Sequence, residues 1–289
     1  MTDTQITHQA EDDIRNQDIL IWVNGHLKPR AEAFVSVYDS GFMLGDGVWA
    51  FVDEHIDRLF EAAKAIDLDI GMERAGILAA LEETRIANDM HTDVHVRLMV
   101  TRGVKTRPFQ HPGLSRSGPT IVIIMEHSRP KIARPIRLAT VPHMRGLPMT
   151  QDPKLNSHSK LNCILACIAA EKAGADEALM LDVHGFVNTT NACNFFIIRK
   201  GEVWTSTGDY CMNGITRAKV IDLCRAHQIP VFERNFSLVD CYGADEAFLT
   251  GTFGAQTPVA EIDGRRIGDG QMGPLTARLR TLYMDMVGA

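Results

Sequence analysis

The sequence predicts a two-domain α+β protein, and three observations predict it. At 289 residues the chain is too long for one small core. Segments with strand alternation and segments with helical period succeed one another with no internal repeat or low-complexity tract. An aperiodic stretch with two prolines, His-Ser-Arg-Pro-Lys-Ile-Ala-Arg-Pro at 127–135, reads as a linker. The expected layout is a polar tail over 1–19, a smaller N-terminal α/β domain over 20–130 and a larger C-terminal α/β domain over 136–289.

The elements follow in order. Leu20-Ile21-Trp22-Val23 before Asn24-Gly25 predicts a strand entering a tight hairpin turn. Phe34 to Tyr38 alternates as a strand, and Gly45-Asp46-Gly47 supplies a turn. From Glu54, residues Ile56, Leu59, Phe60, Ala63 and Ile66 fall on one face of a helix. A second helix is expected over about Arg74 to Ala87, and strands over Val94–Val100 and Thr120–Met125. Beyond the linker, Lys160–Lys172 reads as a helix stopped by Gly174. Strands are expected at Glu177–Asp182, Phe186–Val187 and Phe195–Ile198, the last ending at Lys200-Gly201. Thr216–His227 is a helix opened by Gly214-Ile215, Phe248–Thr250 is a buried strand, and Gly273-Pro274 starts a final helix.

Composition narrows the function. A net charge of −6 with mixed signs and no basic stripe interleaved with aromatics argues against nucleic acid as a partner. The first 19 residues are polar and acidic early, unlike a secretory or transit peptide. No run of 18 apolar residues predicts a membrane span, and a cytoplasmic protein is expected. Six cysteines without a Cys-x-x-Cys pair predict reduced thiols and no metal site. Cys163 and Cys167, four apart on a helix, are expected to fill the core.

Two places look built for an anion. Asn213-Gly214-Ile215-Thr216-Arg217 runs a glycine turn into a helix, whose first amides and dipole favour phosphate. Thr250-Gly251-Thr252-Phe253-Gly254 lets backbone amides approach a ligand closely. Glu54 to Leu59 adds Arg58, whose planar fork suits phosphate oxygens. Taken singly, each also fits an ordinary cap, a plain turn and a solvated arginine.

Taken together and in order, they resemble fold-type IV pyridoxal phosphate enzymes, the class of branched-chain and D-amino acid aminotransferases. The segments are Val23-Asn24-Gly25, Ser36-Val37 with Asp39, Gly45 to Val48, Glu54 to Leu59 and Val100 to Gly103. Gly174 to Ala178, Asn194-Phe195, Gly214 to Arg217, Gly251-Thr252 with Thr257-Pro258-Val259, and Ile262-Asp263-Gly264 complete them. The resemblance implies a D-amino acid aminotransferase-like fold and pyridoxal 5'-phosphate as cofactor. It implies that Arg58, the amides of Ile215 and Thr216, and Thr252 hold the phosphate. It also implies a lysine that forms a Schiff base and shuttles a proton. Lys160 fits the local pattern of a lysine shortly before the asparagine that opens a helix, while Lys154 fits the spacing to Gly174 better. Trp49 and Phe253 fall on the substrate side. Arg107 matches a carboxylate-binding arginine of D-amino acid aminotransferases, with Phe109 where they carry a histidine. In relatives that loop reaches across a dimer interface, which implies a homodimer.

Two departures stand out. Thr189 occupies the position of a glutamate beside the pyridine nitrogen, so a neutral hydroxyl replaces a charge that strengthens the electron sink. Between Trp49 and Glu54 the chain lacks about ten residues that form a strand and hairpin in relatives, an expected loss to the sheet. The reading is transamination between a small or branched amino acid (L or D) and a 2-oxo acid. A lyase resembling aminodeoxychorismate lyase and a catalytically impaired cofactor-binding homologue are the alternatives.

Overall fold

The computed structural model describes residues 13–36, 39, 44–48, 51–107, 111–128, 134–251 and 254–288. The chain divides into two compact units: Ala10–Arg129 with Leu155–Ser159, and Pro130–Lys154 with Lys160–Ala289.

The N-terminal unit contains β1 (Leu20–Val23), β2 (His26–Pro29), β3 (Leu44–Val48), α1 (Val52–Ala65), α2 (Arg74–Ala87), β4 (Val94–Thr101) and β5 (Thr120–His127). Its five strands form an antiparallel sheet in the order β2-β1-β5-β4-β3. Asn24 and Gly25 sit at φ 48° and 89°, the left-handed pair that a two-residue hairpin requires. Ile56, Leu59, Ile77 and Leu81 recur at helical spacing and bury against Trp22, Leu98, Val100 and Ile123 of the sheet. Leu155 packs on the same cluster. The opposite face gathers Ile21, Val23, Met99 and Val122.

Two expectations change here. Residues 34–36 keep the alternating exposure of a strand but lie in none of the strands among the described residues. Phe34 is exposed while Val35 packs beside Ile21 and Val23. Tyr38 lies outside the described residues. Gly45-Asp46-Gly47, expected as a turn, instead runs within β3 and pairs with β4 at the sheet edge, and the chain enters α1 through Phe51 at φ 62°.

The C-terminal unit contains β6 (Ile136–Thr140), α3 (Pro148–Gln151), α4 (Leu161–Lys172), β7 (Glu177–Leu181), β8 (Val187–Thr190), β9 (Asn194–Arg199), β10 (Glu202–Thr205), α5 (Ile215–Ala226), β11 (Val231–Glu233), α6 (Leu238–Tyr242), β12 (Glu246–Gly251), β13 (Ala255–Ile262), β14 (Arg265–Arg266) and α7 (Pro274–Val287). The sheet runs β11-β10-β9-β12-β13-β6-β7-β8, with β14 on β13, and β8 also pairs back onto β9. Strands β9, β12, β13, β6, β7 and β8 therefore close a ring. Leu138, Leu179, Val187, Phe195, Ile197, Leu249 and Val259 form one buried cluster of this unit. Phe196 stacks on Phe248 at 4.9 Å on the other face.

All six cysteines are free. Cys167 is exposed and Cys163 half-buried, so neither is core filler as the spacing led one to expect. Leu161, Ile164, Leu165 and Ile168 of α4 are exposed as well, while Ala166 and Ala170 face the sheet. Small alanines, not the larger side chains, make the contact. Among the described residues no helix is long and apolar enough to cross a membrane.

Candidate active site

Strand register assembles a polar row that the sequence scatters. Thr189 stands opposite Asn194, Asn194 opposite Thr250, and Thr250 opposite Gln256, across β8, β9, β12 and β13. Register partners point to the same face of a sheet, so the four side chains share one face, and all are buried. Asn194 donates to Met212 O at 2.9 Å. Among the described residues, Thr250 Oγ1 and both amide atoms of Gln256 have no hydrogen-bond partner. An unpartnered buried polar group costs about 1–3 kcal/mol, so this row is tuned for something other than stability.

Above the row sits the start of α5. A Cβ at Gly214 would collide with Asn194 Oδ1, so only glycine lets this helix end come down onto the sheet. Gly214 is the N-cap, and among the described residues no side chain accepts a hydrogen bond from the first amides of α5. The first amides thus keep the positive end of the dipole available. Thr216 is buried, and Arg217 is neutralised by Glu233 at 2.9 Å and tied to Ser206 O at 2.7 Å. On the other side of the row, Gly251 closes the β12–β13 hairpin opposite Ala255. A Cβ at Gly251 would meet Cys193 Sγ at 3.2 Å. Burial pushes the Cys193 thiol up, with the Glu177 carboxylate adding to it.

Thr189 carries no charge and donates its hydroxyl proton to Cys193 O at 2.6 Å. Beside it, Arg145 donates to Thr190 O at 2.6 Å and reaches Cys163 Sγ at 3.2 Å. This guanidinium ties the first turn of α4 to β8. Lys160 is the N-cap of α4 and is exposed. Lys154 is exposed too, its amide held by Asp152 Oδ1 at 2.9 Å. The C-terminal unit therefore gathers Thr189, Ile215, Thr216 and the Gly251 stem that leads to Thr252, with the α4 start fastened beside them.

In the N-terminal unit, Arg58 lies half-buried on α1 with Nη2 3.2 Å from His55 Nδ1. Arg107 is exposed. Trp49, Phe109, Thr252 and Phe253 lie outside the described residues. Sequence reasoning missed a concavity of about 240 Å³ lined by Arg30, His95, Arg97 and Glu126 among Ile19, Ile21 and Ile124. The alternation of His95 and Arg97 with buried Leu98 and Val100 was the available signal, since it places the charges on the face away from α1 and α2.

The arrangement suits a phosphorylated, ring-bearing ligand: a capless helix end and a glycine hairpin flank unpartnered buried polar atoms. Comparison with known proteins agrees. Residues 36–262 match the sequence profile of the family described as Amino-transferase class IV. The chain is 39% identical over 283 residues to branched-chain-amino-acid aminotransferase-like protein 2 of Arabidopsis thaliana, covering 94% of this chain and 51% of that protein. It thus spans about half the length of that relative. It is 37% identical to a putative branched-chain-amino-acid aminotransferase of Methanocaldococcus jannaschii, covering 92% of this chain and 96% of the relative. It is 33% identical to a D-alanine aminotransferase of Listeria monocytogenes, with the same coverages of 92% and 96%. Among solved structures, the branched-chain aminotransferase of the archaeon Thermoproteus uzoniensis, determined with norvaline, superposes with a TM-score of 0.84 at 29% identity, covering 93% of this chain and 95% of that chain. These relatives favour an aminotransferase over a lyase.

Proposed function

The chain belongs to the class IV aminotransferase family, and on that premise we propose that it transfers the amino group of a small or branched-chain amino acid to a 2-oxo acid with pyridoxal 5'-phosphate. A further branched-chain amino acid aminotransferase of the same fold, at 28% identity and a TM-score of 0.87, was solved with N-(5'-phosphopyridoxyl)-L-glutamate, which supports that cofactor. The observation that carries the reading is the polar row of Thr189, Asn194, Thr250 and Gln256, capped by Gly214 and flanked by the Gly251 hairpin. The amides of Ile215 and Thr216 and Thr252 would hold the phosphate, and Arg58 would serve as the charged fork. When bound, the cofactor supplies an aldehyde carbon and a conjugated ring that accepts an electron pair.

This chain's own groups do the rest. The Nζ of Lys160, or of Lys154 if the longer spacing governs, would hold the cofactor and carry the substrate proton. Arg145 orients the first turn of α4 against β8. Thr189, whose hydroxyl proton goes to Cys193 O, would offer a cofactor ring only a neutral acceptor where a carboxylate would carry charge, and proton removal would be slower for it. Restoring the charge with Thr189→Glu raises the rate of proton removal about tenfold by the arithmetic of one pKa unit. Stopped-flow absorbance with an amino donor reads that rate, and an unchanged rate removes the role assigned to Thr189.

On the substrate side, Arg107 holds an α-carboxylate through two parallel hydrogen bonds. The concavity bearing Arg30 and Arg97 among three isoleucines has matching chemistry, a cationic side and an apolar side. A homodimer is part of the same reading, supported by the exposed apolar residues Leu161, Ile164, Leu165 and Ile168 of α4.

The deciding experiment is borohydride reduction of the cofactor-loaded protein followed by peptide mass spectrometry, with absorbance recorded during addition of amino donors. A pyridoxyl mass on Lys160 and a donor-dependent spectral shift are expected. A label on Lys154 moves the catalytic amine there. No label on either lysine, with no shift from any donor, removes the proposal.

A further inference from the structure

Helix α7 touches both halves of the phosphate cradle. Its Tyr283 hydroxyl lies 3.5 Å from Thr216 Oγ1 in the first turn of α5. One turn earlier on the same helix, Arg280 donates from Nη1 to Gln256 O at 2.7 Å and approaches Gly254 O at 3.5 Å. Because Gly251 pairs with Ala255, Arg280 holds the outgoing side of the β12–β13 connection. Gln256 is also the last member of the polar row.

The charge of Arg280 is unusual for a half-buried position. Among the described residues its guanidinium meets only carbonyl oxygens, with no carboxylate in ion-pair range. Arg217, by contrast, is neutralised by Glu233. Burial alone pulls the Arg280 pKa down, and no neighbouring charge contributes. An arginine nevertheless stays protonated in a folded protein. A full positive charge is thus lodged behind the connection, in a medium that screens it less than water does.

We propose that Arg280 is a positioning residue for phosphate, fixing the Gly254–Gln256 side of the β12–β13 connection through its carbonyls and adding uncompensated positive charge behind the cradle. This rests on the reading of the α5 start and the Gly251 hairpin as the phosphate site. Binding of a dianion relieves an uncompensated cation, so the phosphorylated ligand gains from Arg280 and its unphosphorylated counterpart does not.

The test is a paired titration of the full chain with pyridoxal 5'-phosphate and with pyridoxal, followed by absorbance. Wild type is compared with Arg280→Met, which removes the charge, and Arg280→Lys, which keeps it without the fork. Arg280→Met is expected to weaken the phosphorylated ligand about tenfold while pyridoxal changes by less than about twofold, and Arg280→Lys to recover part of the difference. An equal loss for both ligands shows a merely structural arginine and overturns the proposal, as does no loss for either. Should Arg280→Met fail to fold, Arg280→Gln and Arg280→Lys give the same ratio, with Lys expected nearer wild type. If the wild type binds both ligands equally, the phosphate cradle itself is wrong, a failure visible before any variant is read.

Discussion

Helices α5 and α7 both begin at a glycine, yet their first turns meet opposite fates. At α7, Glu246 of β12 accepts from the amides of Leu275 and Thr276 at 3.0 and 2.8 Å, and a Cβ on Gly273 would collide with that carboxylate. At α5, a Cβ on Gly214 would collide with Asn194, an uncharged amide, and among the described residues no carboxylate accepts from the first amides. The protein supplies its own anion to one helix and withholds it from the other. The short α6 forms a third case, since Asp240 in its first turn accepts from its own N-cap amide at 2.9 Å. The lesson is that a glycine before a helix marks close approach. Only the charge beneath it separates a structural cap from a ligand seat.

Changes at these glycines and carboxylates break or sharpen that contrast. The largest effect is expected for Gly214→Ala, which lifts α5 off Asn194: affinity for pyridoxal 5'-phosphate falls more than tenfold, at a stability cost of about 1–3 kcal/mol. A titration beside a urea melt checks it. Unchanged affinity means the α5 start is an ordinary cap. Next, Glu246→Ala strips α7 of its carboxylate and costs about 2 kcal/mol in urea unfolding, with cofactor affinity of the folded protein unaltered. Glu246→Gln keeps the acceptor and loses the charge, for about 0.5–1 kcal/mol. A loss of affinity in either variant breaks the assignment of the first turn of α7 to structure.

The smallest effect is expected at α6. Hydrogen bonding from the Ser237 amide, aided by Arg199 and Arg234, holds the Asp240 carboxyl below the usual carboxylate range. A depressed pKa contributes stability above the unfolded value of about 3.9 and loses it as pH falls through the lower folded value. Asp240→Asn should therefore lower the melting temperature at pH 7 and leave it nearly unchanged once the wild-type carboxyl is protonated. A difference that persists at the acid end contradicts the linkage.

The parts of the fold legible in the sequence are those whose signal is local. Asn24-Gly25 specifies its hairpin by backbone conformation, and α2 announces itself by period over Arg74–Ala87. Strand β13 went unread because Gln256, Thr257 and Pro258 interrupt its apolar pattern. The same residues are buried at the polar row and the adjoining strands. The short β6 followed a proline-rich stretch and gave no turn signal of its own. In the site, the glycine turns were visible as candidate anion loops. The row from Thr189 to Gln256 was not, since register alone brings positions 189, 194, 250 and 256 side by side. Nor could the partner of the α7 amides be read from a glutamate some 30 residues earlier.

The ring of strands has a thinnest joint. Between β8 and β9 the register holds one pair, Thr189 opposite Asn194, reinforced by the turn bond from Thr190 N to Cys193 O at 2.9 Å. The barrel wall can part there at the smallest loss of ladder, and the joint lies directly below the α5 amides. Whatever settles on those amides also clamps the joint shut, so slow amide exchange at β8 and β9 should rise and fall with ligand occupancy while the far wall at β6 and β7 stays indifferent.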